Sequence, residues 1–401
     1  MIALEASAGS LVSLFVIACC AAVAPLLAAL TRGRIPDVVW LLLLGVVVGP
    51  SLLGWATTTE GIAMVRQLGM GLLFLLAGYE MQPRPLGNRQ GRSAAITWIV
   101  CLVLGFVIVL LGVPGVSWKV AIALAICLCS TALGTLLPIL KHAGDSTSPL
   151  GRAVLLHGAM GELGPVIAMS LLLSSSGALH SAIVLVLFAV AALAAAALPG
   201  RVVARIPWVG RTVVAGANTT AQTTLRFIFA LLTGLMALSA VFHLDVVLGA
   251  FAAGVIVRAL VPDAHALDHT FEVLAFSFLV PVFFVTSGMA VSVDAILAHP
   301  VLLIGFVAMM LVARGVPVWA VERFTTTESG IDNARDQVRL GLYAATGLPI
   351  IVAVTEVAVA QGLIPEDIAS VLVAAGAVSV LVFPLLASLL AAPDARKLAA
   401  A

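Results

Sequence analysis

Charge is what this chain has least of. Charged residues make up 10% of its 401 residues and apolar residues 62%, against roughly 25% charged in a soluble domain. Mean hydropathy is +1.20. So little charge excludes a soluble globular domain and leaves a polytopic membrane protein. The net charge of +1 carries no nucleic-acid signal, and no nucleic-acid partner is expected. Cysteine is scarce. Cys19, Cys20, Cys101, Cys127 and Cys129 all fall in apolar stretches without metal-ligand spacing or His support, so neither a disulfide nor a metal site is expected. Neither His-Glu-x-x-His nor Gly-x-Ser-x-Gly occurs, so no catalytic residue is assigned and an enzyme is not expected. No Gly-x-Gly-x-x-Gly follows the last apolar run; a nucleotide-binding domain and a cofactor are not expected.

What is present is apolar sequence in membrane-sized lengths. Windows of about 20 residues predict thirteen spans, at 9–31, 37–54, 61–80, 93–113, 119–141, 149–174, 178–198, 222–242, 244–261, 269–289, 299–322, 338–361 and 367–392. Loops after odd-numbered spans, with the C-terminal tail, hold seventeen of the Lys and Arg residues. The opposite side holds only Lys119, and Arg66 and Arg314 lie within spans. That alternation is a positive-inside pattern, with the N-terminus outside and the C-terminus cytoplasmic. The longest connection, Gly200 to Ala221, carries three Arg and reads as an amphipathic linker.

An internal echo accompanies the count. Span two opens Pro36-Asp37-Val-Val and span nine Leu244-Asp245-Val-Val, each with a Gly eight or nine residues on. Seven spans separate them. An odd offset makes the copies cross the membrane in opposite directions, the inverted repeat of secondary transporters. The same offset pairs span five with span twelve. Span five carries Ser130-Thr131-Ala-Leu-Gly134 and Pro138, and span twelve Thr346-Gly-Leu-Pro349. Helices interrupted at bilayer depth need their freed backbone groups to line a cavity or meet protein. Two broken helices are the expectation, and corresponding interruptions in the two halves point to a binding site.

Glu162 is the acid of span six, in Gly158-Ala-Met-Gly-Glu-Leu-Gly-Pro165. At 1.5 Å per residue it lies about 18–20 Å from the cytoplasmic start of that span, with Thr131 and Arg314 at similar depth. A carboxylate there costs several kcal/mol and marks an ion or proton path. Ser130, Thr131 and Thr346 are the oxygen donors nearest in depth, suited to a hard cation. Arg314 is read as a supporting charge, since Arg does not readily release a proton. His157, five residues before Glu162, and Glu356, two turns past the span-twelve interruption, are candidates for the ion path.

At these residues the chain resembles the cation/proton antiporter superfamily, in particular the bacterial sodium(potassium)/proton exchanger family. The pieces that carry the likeness are Arg34-Ile-Pro-Asp, Gly49-Pro-Ser-Leu-Leu-Gly54, Leu72-Leu-Phe-Leu-Leu-Ala-Gly78, Ser130-Thr-Ala-Leu-Gly134 with Pro138, and Pro281-Val-Phe-Phe-Val-Thr-Ser-Gly288. The resemblance implies scaffold or dimerisation helices over 1–92 and 222–298, core transport helices over 93–174 and 299–401, and a linker helix with its cytoplasmic connection over 175–221. It also implies that spans five and twelve cross at their broken centres, and a homodimer in the bacterial inner membrane. Where many members place paired acids or Asn-Asp on the sixth span, this chain has Gly161-Glu162; where paired-acid members place Lys on the eleventh, it has Arg314.

The expected function is exchange of a monovalent cation, sodium or potassium, for a proton. Glu162 would hold one or the other, and a single carboxylate suggests an electroneutral exchange. Two alternatives stay open: a proton-coupled carrier of an organic solute on the same fold, and a gated cation channel, which would want a ring of charges or a carbonyl filter that the sequence lacks.

Overall fold

The computed structural model describes residues 2–31, 35–80, 89–142, 145, 148–172, 186, 190, 223–242, 244–260 and 273–391. Span seven, apart from residues 186 and 190, and the Gly200–Ala221 linker lie outside the described residues. Among them the chain is helical throughout, without a strand. Eight helical stretches are long and apolar enough to cross a membrane, and four shorter apolar helices accompany them.

One group of helices is α1 (Ile2–Leu30), α2 (Asp37–Val48), α3 (Glu60–Glu80), α8 (Thr223–Val241), α9 (Val246–Leu260) and α10 (Val280–Met289). Within it α3 packs along α9 and α10, α2 along α1 and α10, and α8 along α9. Small residues permit this, because close backbone approach rather than apolar burial holds helices together in lipid. Gly45 faces the Val285 carbonyl and Gly288 the Leu42 carbonyl, so a Cβ on either would overlap backbone across the α2–α10 crossing.

The second group is α4 (Arg89–Gly112), α5 (Trp118–Leu128), α6 (Leu133–His142), α7 (Pro149–Leu172), α12 (Pro300–Met310), α13 (Val316–Phe324), α14 (Ala334–Ala344), α15 (Pro349–Ala360) and α16 (Glu366–Leu389), with the short α11 (Val293–Ala298) leading into it. Here α4 packs on α5 and α7, α14 on α7, α13 and α16, and α15 on α5 and α16. Between the groups, α3 touches α6 and α7, α9 touches α7 and α2 touches α16, all more sparsely.

Two kinds of backbone irregularity interrupt the helices. Helical structure lapses between Leu128 and Leu133, and again between Ala344 and Pro349, where Leu348 sits at φ −150°, ψ −58°. Two π turns occur, at Ala275–Leu279 and Leu311–Gly315. Pro281 and Pro317 follow them at the second position of the next helix. A proline lacks the N–H that would close the α-helical bond, and the ladder widens instead. The second π turn carries Arg314.

Candidate functional site

The two lapses meet. The Ala132 N–H donates to the Thr346 carbonyl at 2.7 Å, and the Thr131 hydroxyl donates to the Ala344 carbonyl at 2.6 Å. The Thr131 N–H donates to Gly161 O on α7 at 3.0 Å. Backbone groups freed at membrane depth are therefore satisfied by one another, as they must be without water.

Glu162 sits on α7 beside this crossing and is 4% exposed. Its Oε1 accepts the Leu133 N–H at 2.9 Å. Leu133 opens α6, so the carboxylate lies at a helix N-terminus, where unpaired amides and the helix dipole favour an anion. A cavity reaches the carboxylate, lined there by Gly134 and Thr135 of α6, Leu73 and Phe74 of α3, and Pro349, the first residue of α15. Glu162 and Thr135 bring the only side-chain oxygens among its lining residues. The Thr135 hydroxyl donates to Ala132 O at 2.9 Å, which leaves its lone pairs to face a ligand. One carboxylate and one hydroxyl at the head of an otherwise apolar cavity suit a small cation or a proton.

Arg314 is fully buried and forks into the same crossing. Its Nη2 donates to His157 O at 2.7 Å, its Nε to Thr131 Oγ1 at 3.3 Å, and its Nη1 contacts Cys101 Sγ at 3.7 Å. These acceptors are neutral and come from α4, α7 and the α5–α6 lapse. The arrangement also explains Gly161. A Cβ there would run into the Thr131 side chain and stand 3.0 Å from Arg314 Nη2. The space of a side chain at 161 is already taken by Thr131 and the guanidinium.

The residues singled out in the sequence thus divide. Glu162, Thr131, Arg314 and Thr346 are brought together at the crossing. Ser130 is there too, buried, but its hydroxyl turns back to Cys127 O at 2.8 Å. The Thr346 hydroxyl turns back to Leu342 O at 3.3 Å, and its carbonyl is what faces the partner segment. His157 contributes its carbonyl to Arg314; its imidazole is buried away from the cavity. Glu356 is elsewhere, with Oε2 3.0 Å from Arg66 Nη2 of α3.

Three contributors escaped sequence reading. The Leu133 amide is backbone and has no letter. Thr135 reads as one more helical threonine. Ser379 of α16, fully buried, accepts the Gly347 N–H at 3.1 Å and lies 2.9 Å from Gly347 O and 2.7 Å from Gly376 O. Its one proton serves one carbonyl at a time, and it clamps the second lapse from behind. A lone serine in a span otherwise reads as bonded to its own helix; the Gly347 facing it was the available signal.

Comparison with known proteins gives a consistent picture. The family model described as sodium/hydrogen exchanger, transmembrane, matches residues 16–392. The Na(+)/H(+)-K(+) antiporter GerN of Bacillus cereus is 28% identical over 272 residues, covering 65% of this chain and 67% of GerN. The glutathione-regulated potassium-efflux system protein KefC of Klebsiella pneumoniae is 30% identical over 300 residues, covering 70% of this chain but 45% of KefC, so the chain spans less than half of that relative. The solved structure of the sodium proton antiporter MjNhaP1 from Methanocaldococcus jannaschii superposes with a TM-score of 0.62 over 96% of this chain and 97% of that one, at 17% identity, a likeness of fold.

Proposed function

The chain belongs to the sodium/hydrogen exchanger family, a family of transporters and not of enzymes, and from that premise we propose that it exchanges a monovalent cation, sodium or potassium, for a proton across the membrane. The observation that carries the reading is the Glu162 carboxylate, 4% exposed, anchored by the Leu133 N–H and reached by a cavity. A buried carboxylate is neutralised either by a proton or by a cation. Burial and a neighbouring positive field act in opposite senses on its proton affinity, and their balance sets which of the two it holds. Competition for one group couples the two fluxes.

In this mechanism Glu162 binds, Thr135 supplies a hydroxyl oxygen, and carbonyls of the two lapses complete a shell of oxygen. The Thr131 hydroxyl, which donates to Ala344 O and accepts from Arg314 Nε, holds the crossing. Ser130 and Thr346 act through backbone position rather than through their hydroxyls. Arg314 holds the crossing together. With one exchangeable carboxylate the exchange is electroneutral.

Family membership bears on architecture as well. The eight long and four shorter apolar helices occupy every predicted span except the seventh, which supports thirteen spans with an inverted repeat and two broken, crossing helices. The denser packing within each helix group than between them supports a scaffold over 1–92 and 222–298 and a core over 93–174 and 299–401 that move against each other in alternating access. A homodimer, and a bacterial inner membrane with the N-terminus outside, follow from the family likeness and the positive-inside pattern.

The test is proton flux in proteoliposomes under gradients of sodium, potassium and lithium, wild type against Glu162→Gln. Cation-dependent flux in the wild type and its loss in the variant are expected. Exchange that persists in Glu162→Gln refutes the mechanism. A large pH-dependent current on a solid-supported membrane refutes electroneutrality. Flux that answers to an organic solute and to no alkali cation supports the solute-carrier alternative.

A further inference from the structure

Arg66 and Glu356 form an ion pair that the exchange chemistry at Glu162 does not use. Arg66 belongs to α3, in the first helix group, and Glu356 to α15, in the second. Each helix buries its main face elsewhere, α3 on α9 and α10, α15 on α5 and α16. The pair, at 3.0 Å, is therefore a polar tie between two bodies and not a by-product of close packing.

Its position relative to the cavity is specific. On α3 the cavity begins at Leu73, and Arg66 lies seven residues earlier, toward Glu60. On α15 the cavity is touched by Pro349, and Glu356 lies seven residues later, toward Ala360. At 1.5 Å per residue both offsets are about 10 Å. The cavity runs the other way: it includes Val38, in the first turn of α2. That turn is at the opposite end from Glu60, because α2 ends at Val48 and the chain then enters α3. The cavity at Glu162 thus extends toward the Asp37 side, and the ion pair lies beyond its other end, toward Glu60.

The pair is also built to come apart. Arg66 Nε is buried and has no hydrogen-bond partner among the described residues. An unsatisfied buried donor disfavours the closed arrangement, and water entering on opening would relieve it. Glu356 is already 44% exposed, so its carboxylate sheds little protein contact on release. Asp245, which caps α9 through a 2.8 Å bond from Val247 N–H, is close enough to couple electrostatically with Glu356. Asp245 and Glu356 are like-charged groups on the two sides of this boundary, and their repulsion works against the closed arrangement.

We propose that Arg66 and Glu356 form a latch that shuts the route from Glu162 to the Glu60 side in this conformation, and that the latch opens when the site is exposed to that side. The proposal rests on the exchange reading, and its test is arranged to fail separately from it. Helix periodicity puts Val352 on the face of α15 between Pro349 and Glu356; it is 3% exposed. The experiment places Val352→Cys in the full chain in proteoliposomes and measures its labelling by a membrane-impermeant thiol reagent, with the other five cysteines replaced. Labelling from the Glu60 side is expected to be slow in the parent and about ten-fold faster with Arg66→Ala or Glu356→Gln. The charge exchange Arg66→Glu with Glu356→Arg is expected to restore the slow rate, because it remakes the ion pair with its signs reversed. Glu356→Gln keeps size and shape and carries the test if Arg66→Ala does not assemble. Unchanged labelling in the single variants overturns the latch. So does faster labelling that the charge exchange does not reverse, since lost packing would then have opened the route. Labelling is read without transport, so loss of the Glu162 mechanism leaves this result standing.

Discussion

Two arginines lie at span depth in this protein, and they are held in opposite ways. Arg314 is fully buried, and all three of its nitrogens meet acceptors, every one of them neutral and every one within its own helix group. Arg66 is partly exposed, meets one carboxylate in the other helix group, and leaves Nε without a partner among the described residues. A guanidinium saturated by its own surroundings is a fixture. One with a single partner across a boundary is a tie that can be released. In the exchange cycle proposed above, the difference separates what stays constant from what changes.

Removing the fixture has the largest expected effect. Arg314→Ala empties a fully buried site at the crossing and strips Thr131 Oγ1 and His157 O of their donor. A loss of about 2–5 kcal/mol is expected, read as a fall in melting temperature of the detergent-solubilised protein. Arg314→Lys is expected to recover only part of it, because an ammonium is compact and does not reproduce a planar fork. Full stability in Arg314→Ala would erase the distinction between the two arginines.

The second prediction sharpens the same region. Gly161→Asp introduces a carboxylate where Thr131 and Arg314 already stand. The new charge would attract Arg314, yet its Cβ collides first. Overpacking of this kind costs about 1–3 kcal/mol, and lower thermal stability together with lower exchange is the expected outcome. An equally stable variant would show that the crossing is looser than its contacts suggest.

These two sites also mark how far the sequence could be read. Helical membrane architecture was legible because hydropathy and charge placement are summed over many residues. Arg314 and Glu162 were legible because a charge at bilayer depth is rare. Thr131 and Thr346 were legible because Thr, Gly and Pro together interrupt a helix. What the letters did not carry was which atom does the work. Thr346 presents its carbonyl, not its hydroxyl; Glu162 is met by a backbone amide; Gly161 is small because its neighbours come from two other helices. Arg66 and Glu356 were visible as charges, but they are 290 positions apart, and no local pattern pairs residues so distant.

Ser379→Ala is the third prediction, and intermediate in size. It removes the acceptor for Gly347 N–H and leaves that buried group unpaired, an expected cost of about 1–2 kcal/mol. Because Gly347 adjoins the Thr346 carbonyl, a higher KM for the cation with kcat less affected is expected in the flux assay. Ser379→Thr keeps the hydroxyl and is expected to restore KM if the wall of Gly376 and Gly347 admits the methyl. Ala and Thr variants with the same KM would show that the hydroxyl does not position the site.

The smallest expected effect on stability belongs to Arg66→Ala. Partly exposed ion pairs contribute about 0–1 kcal/mol, and the buried Nε that lacks a partner lowers the worth of this one further. A melting-temperature change well below that of Arg314→Ala is expected, whereas the labelling of Val352→Cys is expected to change severalfold. A double-mutant cycle with Glu356→Gln isolates the pair itself. A coupling as large as the cost of losing Arg314 would make Arg66 a fixture as well and would count against the proposed latch, since so strong a contact would oppose its opening. A small coupling with a large change in access is what the proposed latch requires: enough to favour the closed arrangement, too little to prevent its opening.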